Sequence, residues 1–92
     1  MINPTRILSI QEKPANIEKI FEEFKLKQRT SDEWVKDGLT IIGGVNNLSG
    51  EKKFTVRIKT SGIMPDEEKE SIEIYERLKK EYANKILSSY II

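Results

Sequence analysis

Between residues 65 and 88 the chain commits to one amphipathic pattern, and whatever fold it adopts must cover that apolar face. Ile72, Tyr75, Leu78, Tyr82, Ala83, Ile86 and Tyr90 fall within an arc of roughly 140° when the residues are wound as a helix. The opposite side is charged, with Glu73 and Arg77, Glu76 and Lys80, and Glu81 and Lys85 placed acid-before-base four residues apart. Each such pair favours an isolated helix by roughly 0.2–0.5 kcal/mol. Pro65 suits the first helical position, and Asp66, Glu67 and Glu68 set negative charge on the positive end of the helix dipole. At about 1.5 Å per residue this predicts a rod near 36 Å long.

The strand signals lie upstream. Residues 53–60 alternate cleanly, with Phe54, Val56 and Ile58 on one side and Lys53, Thr55, Arg57 and Lys59 on the other. Residues 5–12 alternate more loosely after Pro4, with Leu8 and Ile10 facing one way. From Ala15 the period lengthens: Ile17, Ile20, Phe21 and Phe24 form a helical face that fades near Gln28. Residues 29–38 admit two readings. Ser31 could cap a short helix, or Asp37-Gly38 could close a hairpin that pairs residues 33–36 with residues 39–44. The hairpin is preferred because the next strand begins at once. Gly43-Gly44 suggests a bulge or a close backbone approach, and residues 46–50 read as a loop.

The expected fold is therefore one α+β domain over residues 1–92: a small antiparallel sheet of three to four strands with two helices on one face. Its order is β-α-β-β-(β)-α, ending in the long helix. With residues 31–37 helical this element order is similar to that of a KH-type RNA-binding domain, and with them extended to part of a double-stranded RNA-binding domain. The Gly-X-X-Gly loop of the first is absent from residues 25–33, and Asp66-Glu67-Glu68 stands where the second carries lysines. Neither family is assigned.

Composition excludes more than it identifies. The chain has neither cysteine nor histidine, so disulfides, thiol nucleophiles, Cys/His zinc sites and imidazole catalysis are all ruled out. Sixteen basic against fifteen acidic residues give a net charge of +1, low for a dedicated nucleic-acid binder. No apolar run is long enough to span a membrane and no leader pattern opens the chain, so a cytoplasmic protein is expected. Ser31, Ser49 and Ser61 lack a histidine partner, and Gly43, Gly44 and Gly50 do not form a phosphate loop.

Three candidate sites remain. The first is the tail, where Leu87, Tyr90, Ile91 and Ile92 place apolar side chains around the end of the chain. They either fold back as an edge strand or form an interface. The second is the basic row Lys52, Lys53, Arg57 and Lys59, whose spacing could follow phosphates, with Trp34 as an aromatic that could reach the same face. The third is Asp37 with Glu51-Lys52-Lys53, the order of a Mg²⁺ nuclease, which needs both carboxylates on one ion. The leading expectation is a non-enzymatic interaction or regulatory module, without cofactor or small-molecule substrate. It would contact a protein partner, or a second copy as a homodimer, through the long helix and tail. The alternative is nucleic-acid binding on the basic row.

Overall fold

The computed structural model describes residues 4–48, 51–62 and 66–92. Its elements run β1 (Arg6–Ile10), α1 (Ile17–Glu23), β2 (Lys27–Gln28), β3 (Glu33–Lys36), β4 (Leu39–Leu48), β5 (Glu51–Thr60), α2 (Asp66–Glu81) and β6 (Ile86–Ile91). All strands join one antiparallel sheet in the order β2-β3-β4-β5-β1-β6. The α+β expectation holds, but the sheet has six strands rather than three to four. The two additions, β2 and β6, are its edges.

The alternation of β5 sorts the sheet into two faces. Phe54, Val56 and Ile58 are buried, and their register partners Gly43, Ile41, Leu8 and Ile10 share their side. α1 contributes Ile17, Ile20 and Phe21 to this core, and α2 contributes Ile74, Tyr75 and Leu78. Both helices thus cover one face, as two layers around one core require. The other face carries Lys53, Thr55, Arg57 and Lys59, and among the described residues no helix lies over it.

Residues 33–38 take the hairpin reading. β3 pairs with β4 through Glu33 to Ile42 and Lys36 to Leu39, leaving Asp37-Gly38 as a two-residue turn. Only Asp37 has the left-handed φ, at 51°. Gly38 serves a different need, since a Cβ there would overlap Glu67 Oε1 and Ser61 Oγ. Gly43-Gly44 makes no bulge, because the β4–β5 register is continuous from Leu39 to Leu48. A Cβ on Gly43 would lie 2.7 Å from Phe54 Cζ, so this glycine admits the ring. Residues 46–48 extend β4 rather than looping; residues 49 and 50 lie outside the described residues, as does Pro65.

The first helix stops earlier than expected, at Glu23. Lys25 adopts φ 66°, its N–H donates to Glu22 O at 2.9 Å, and the Leu26 N–H donates to Phe21 O at 3.1 Å. That pair of bonds is a Schellman cap, with Leu26 tucked into the core beside Phe21.

The second helix is shorter than expected and rotated. It ends at Glu81, and residues 82–85 turn the chain back so that β6 runs beside β1. Ile72 is 42% exposed and Ala83 is exposed, while the buried line is Glu67, Ser71, Ile74, Tyr75 and Leu78, continued by Tyr82. Two polar residues interrupt this line, and each is held. Ser71 accepts from Arg6 Nη1 at 3.0 Å and donates to Glu68 O at 2.7 Å. Glu67 accepts from Ser61 Oγ at 2.7 Å and from the Gly62 N–H at 2.9 Å. Further ties fix the helix in place: Arg6 to Glu68, Lys36 to Glu70 at 2.7 Å, Arg77 to Glu23 at 2.9 Å, and Tyr82 Oη donating to Asn16 Oδ1 at 2.8 Å. Among the described residues no helix is long and apolar enough to cross a membrane.

Candidate functional site

Two surfaces stand out, and they adjoin. One is the uncovered face of the sheet. Register places Tyr90, Ile7, Arg57, Ile42 and Glu33 in one row across β6, β1, β5, β4 and β3, on the side away from the helices. Ile7 is 4% exposed yet stands outside the core cluster, so the side chains of its own face bury it. A neighbouring row holds Lys59, Thr40, Val35 and Lys27. A third has Ser88, Ser9, Thr55 and Gly44. A shallow depression lies where the first and third meet, lined by Ile42, Gly44, Thr55 and Arg57.

Charge is divided between the layers. The two helices carry ten acidic side chains against five basic ones, whereas the strands carry seven basic against two acidic. On the helix side the cations meet acids: Arg6, Lys36 and Arg77 are all ion-paired. On the open face the one ion pair among the described residues joins Arg29 and Glu33. Lys27, Lys53, Arg57 and Lys59 have no ion-pair partner among the described residues.

The second surface is β6. It ends the sheet, and Leu87, Tyr90, Ile91 and Ile92 are 45, 49, 54 and 69% exposed. Thr5 and Ile92 exchange both backbone hydrogen bonds, at 2.8 and 2.9 Å. The antiparallel alternation then turns the N–H and C=O groups of Tyr90 toward β1 and those of Ser89 and Ile91 toward the free edge. The tail therefore does fold back as an edge strand, and it still leaves its apolar side chains and one backbone edge exposed.

The structure brings the tail and the basic row together. Gln11, Lys52, Lys53 and Leu87 line one groove, and Tyr90 shares a row with Arg57. Lys52 has the parity of the helix side, one residue out of step with the other three cations. Trp34 does not join them. It is buried on the helix side with its ring 5.6 Å from that of Phe21, because its register partner Ile41 faces the core. The nuclease arrangement also fails. Glu51 starts β5 opposite Leu48, whereas Asp37 adjoins Leu39 opposite Thr60, so the two lie at opposite ends of the β4–β5 ladder. At about 3.4 Å per residue that is roughly 30 Å, far beyond one ion.

Sequence reasoning missed Ile7, Ile42, Lys27 and Ser9 as members of this face. Lys27 sits in a two-residue strand with no period to detect. Ile7 and Ile42 each lie in an apolar run, where alternation cannot say which side is covered. Comparison with protein-family models, with curated proteins and with solved structures found no match.

Proposed function

We propose that this protein is a non-enzymatic interaction module that associates with a second copy of itself by pairing β6 edge to edge. One contrast carries this reading. The sheet's other edge, β2, is two residues long, contains Lys27 and is followed by Arg29, as a protected edge should be. β6 has six residues, Ile-Leu-Ser-Ser-Tyr-Ile, with no charge and no proline. A strand of that kind at an open edge invites pairing.

The composition of β6 favours a second copy as the occupant. An antiparallel pair about a two-fold axis sets the strand against itself, so a charged strand would repel its twin and this one does not. A register centred on Ser89 sets Tyr90 beside Ser88 of the partner subunit, and extends the sheet to twelve strands without covering either face. We assign the long helix no direct part, since its buried line is used within the chain and, Ile72 apart, its remaining side chains are charged.

The test is sedimentation velocity across a concentration series. The expected result is a monomer–dimer equilibrium that Ser89→Pro shifts to monomer, because it removes an outward N–H and leaves the β1 bonds in place. Ile91→Lys, which adds a charge to the exposed edge, should do the same. Circular dichroism should be unchanged in both. A wild-type protein that stays monomeric into the millimolar range overturns the reading.

A further inference from the structure

We propose that the uncovered sheet face binds single-stranded nucleic acid, with the phosphate backbone following β5 and a base stacked on Tyr90. This inference does not rest on pairing at β6, because edge-to-edge association leaves the face open.

Charge distribution is the first support. A net charge of +1 conceals a molecule whose helix layer is acidic and whose sheet is basic. If the face existed only to be soluble, its cations would be interspersed with acids as they are around the helices. Instead Lys27, Lys53, Arg57 and Lys59 share one face, and its one acid in the described register, Glu33, is engaged by Arg29. Such a patch attracts a polyanion at a distance and releases counterions on contact.

Geometry then selects the kind of polyanion. Lys53, Arg57 and Lys59 point the same way from one strand, with steps of about 13.6 and 6.8 Å at roughly 3.4 Å per residue. The shorter step matches the phosphate repeat of an extended, unstacked strand, and the longer is twice that. A line of cations along one strand tracks one backbone. A duplex would instead call for an element that enters a groove, and among the described residues this face offers none. Beside the line lie surfaces suited to bases. Tyr90 is half-exposed in the row of Arg57, and Ile42 is partly exposed across from it. An aromatic ring stacks on any base, so recognition would be tolerant of sequence.

The experiment is fluorescence polarisation with labelled oligo-dT and oligo-rU of about a dozen nucleotides, and a duplex of the same length, across a salt series. With three phosphate contacts, at Lys53, Arg57 and Lys59, and a slope of about 0.7 each, single-strand affinity should fall roughly twenty-fold between 50 and 200 mM salt. Arg57→Glu with Lys59→Glu should weaken binding by at least about tenfold, and the milder Arg57→Gln with Lys59→Gln should lower the salt slope by about 1.4. Tyr90→Ala should weaken binding by roughly five-fold or more without changing the salt slope. Lys69→Glu with Lys80→Glu, the same charge change on the helix side, should leave binding intact. The proposal is overturned by any of four results: no binding at 50 mM salt, equal loss in the helix-side variant, duplex binding as tight as single-strand binding, or equally effective competition by heparin.

Discussion

Individual residues here are often placed by a partner far away in sequence, and this limits what a reading of the chain can anticipate. Gly38 looked like a turn glycine, yet the left-handed φ falls on Asp37 and the glycine makes room for the buried Glu67 carboxylate. Nothing near Gly38 announces a glutamate 29 residues on. Lys25 is the converse case. A helix end is usually marked by glycine, and here a lysine holds φ 66°, so the stop at Glu23 carried no sign in the sequence. A left-handed lysine costs roughly 1 kcal/mol that glycine avoids, while glycine gives part of it back as unfolded-state entropy. Lys25→Gly should therefore raise stability by about 0.5–1 kcal/mol in urea unfolding, with the slope of the transition unchanged. A fall in stability would mean that the lysine side chain contributes more to the cap than its exposed position suggests.

At the scale of elements, the strands with clean alternation were legible and the second helix was only partly so. β5 and the β3–β4 hairpin appear where the pattern put them, because period-two alternation and an Asp-Gly turn are local signals. The buried face of α2 departs from the apolar stripe, since Glu67 and Ser71 belong to that face and a hydrophobic count rejects them. Its end is not marked locally, because Ile86 and Tyr90 fit a helical stripe as well as a strand, and the pairing of β6 with β1 is a long-range choice. What locks the helix end is Tyr82, whose hydroxyl donates to Asn16 just before α1. Burial raises the Tyr82 pKa above the ordinary tyrosine value, Glu81 raises it further, and Arg77 opposes both. The folded state thus favours the protonated phenol. Its stability contribution is complete below about pH 10, where the unfolded tyrosine also keeps its proton, and is lost as pH rises through the folded pKa. Tyr82→Phe should cost about 1 kcal/mol at neutral pH. Against wild type, that gap should hold constant up to about pH 10 and then narrow. A gap that widened in alkali would reverse the assignment.

The whole molecule combines an uncharged edge with a basic face, and salt should act on the two in opposite directions. Neither surface was legible as a unit. The tail and the basic row are some thirty residues apart in the chain, and β1, inserted between β5 and β6, is what sets Tyr90 in the row of Arg57. In a β6-paired dimer the two copies of β5 lie five strand spacings apart, about 24 Å at roughly 4.8 Å each. Two unit charges at that distance in water repel by about 0.2 kcal/mol before screening. Four cations per face, many of them farther apart, give only a modest net repulsion, and a Debye length near 8 Å at physiological salt removes most of it. Dimerisation should therefore tighten by no more than about threefold as salt rises from 10 to 150 mM, because the Debye length shrinks from about 30 Å. Oligonucleotide affinity should fall steeply over an overlapping range. An oligonucleotide of about four phosphates neutralises the four cations of a face and relieves the same repulsion, so it should tighten the dimer, and by linkage the dimer should bind it more tightly than the monomer does. Sedimentation with labelled oligonucleotide at low salt, comparing wild type with Ser89→Pro, measures this coupling directly. Equal oligonucleotide affinity for both would make the two surfaces independent, and a dimer that weakened as salt rose would mean that ion pairs, rather than an uncharged strand edge, hold the copies together.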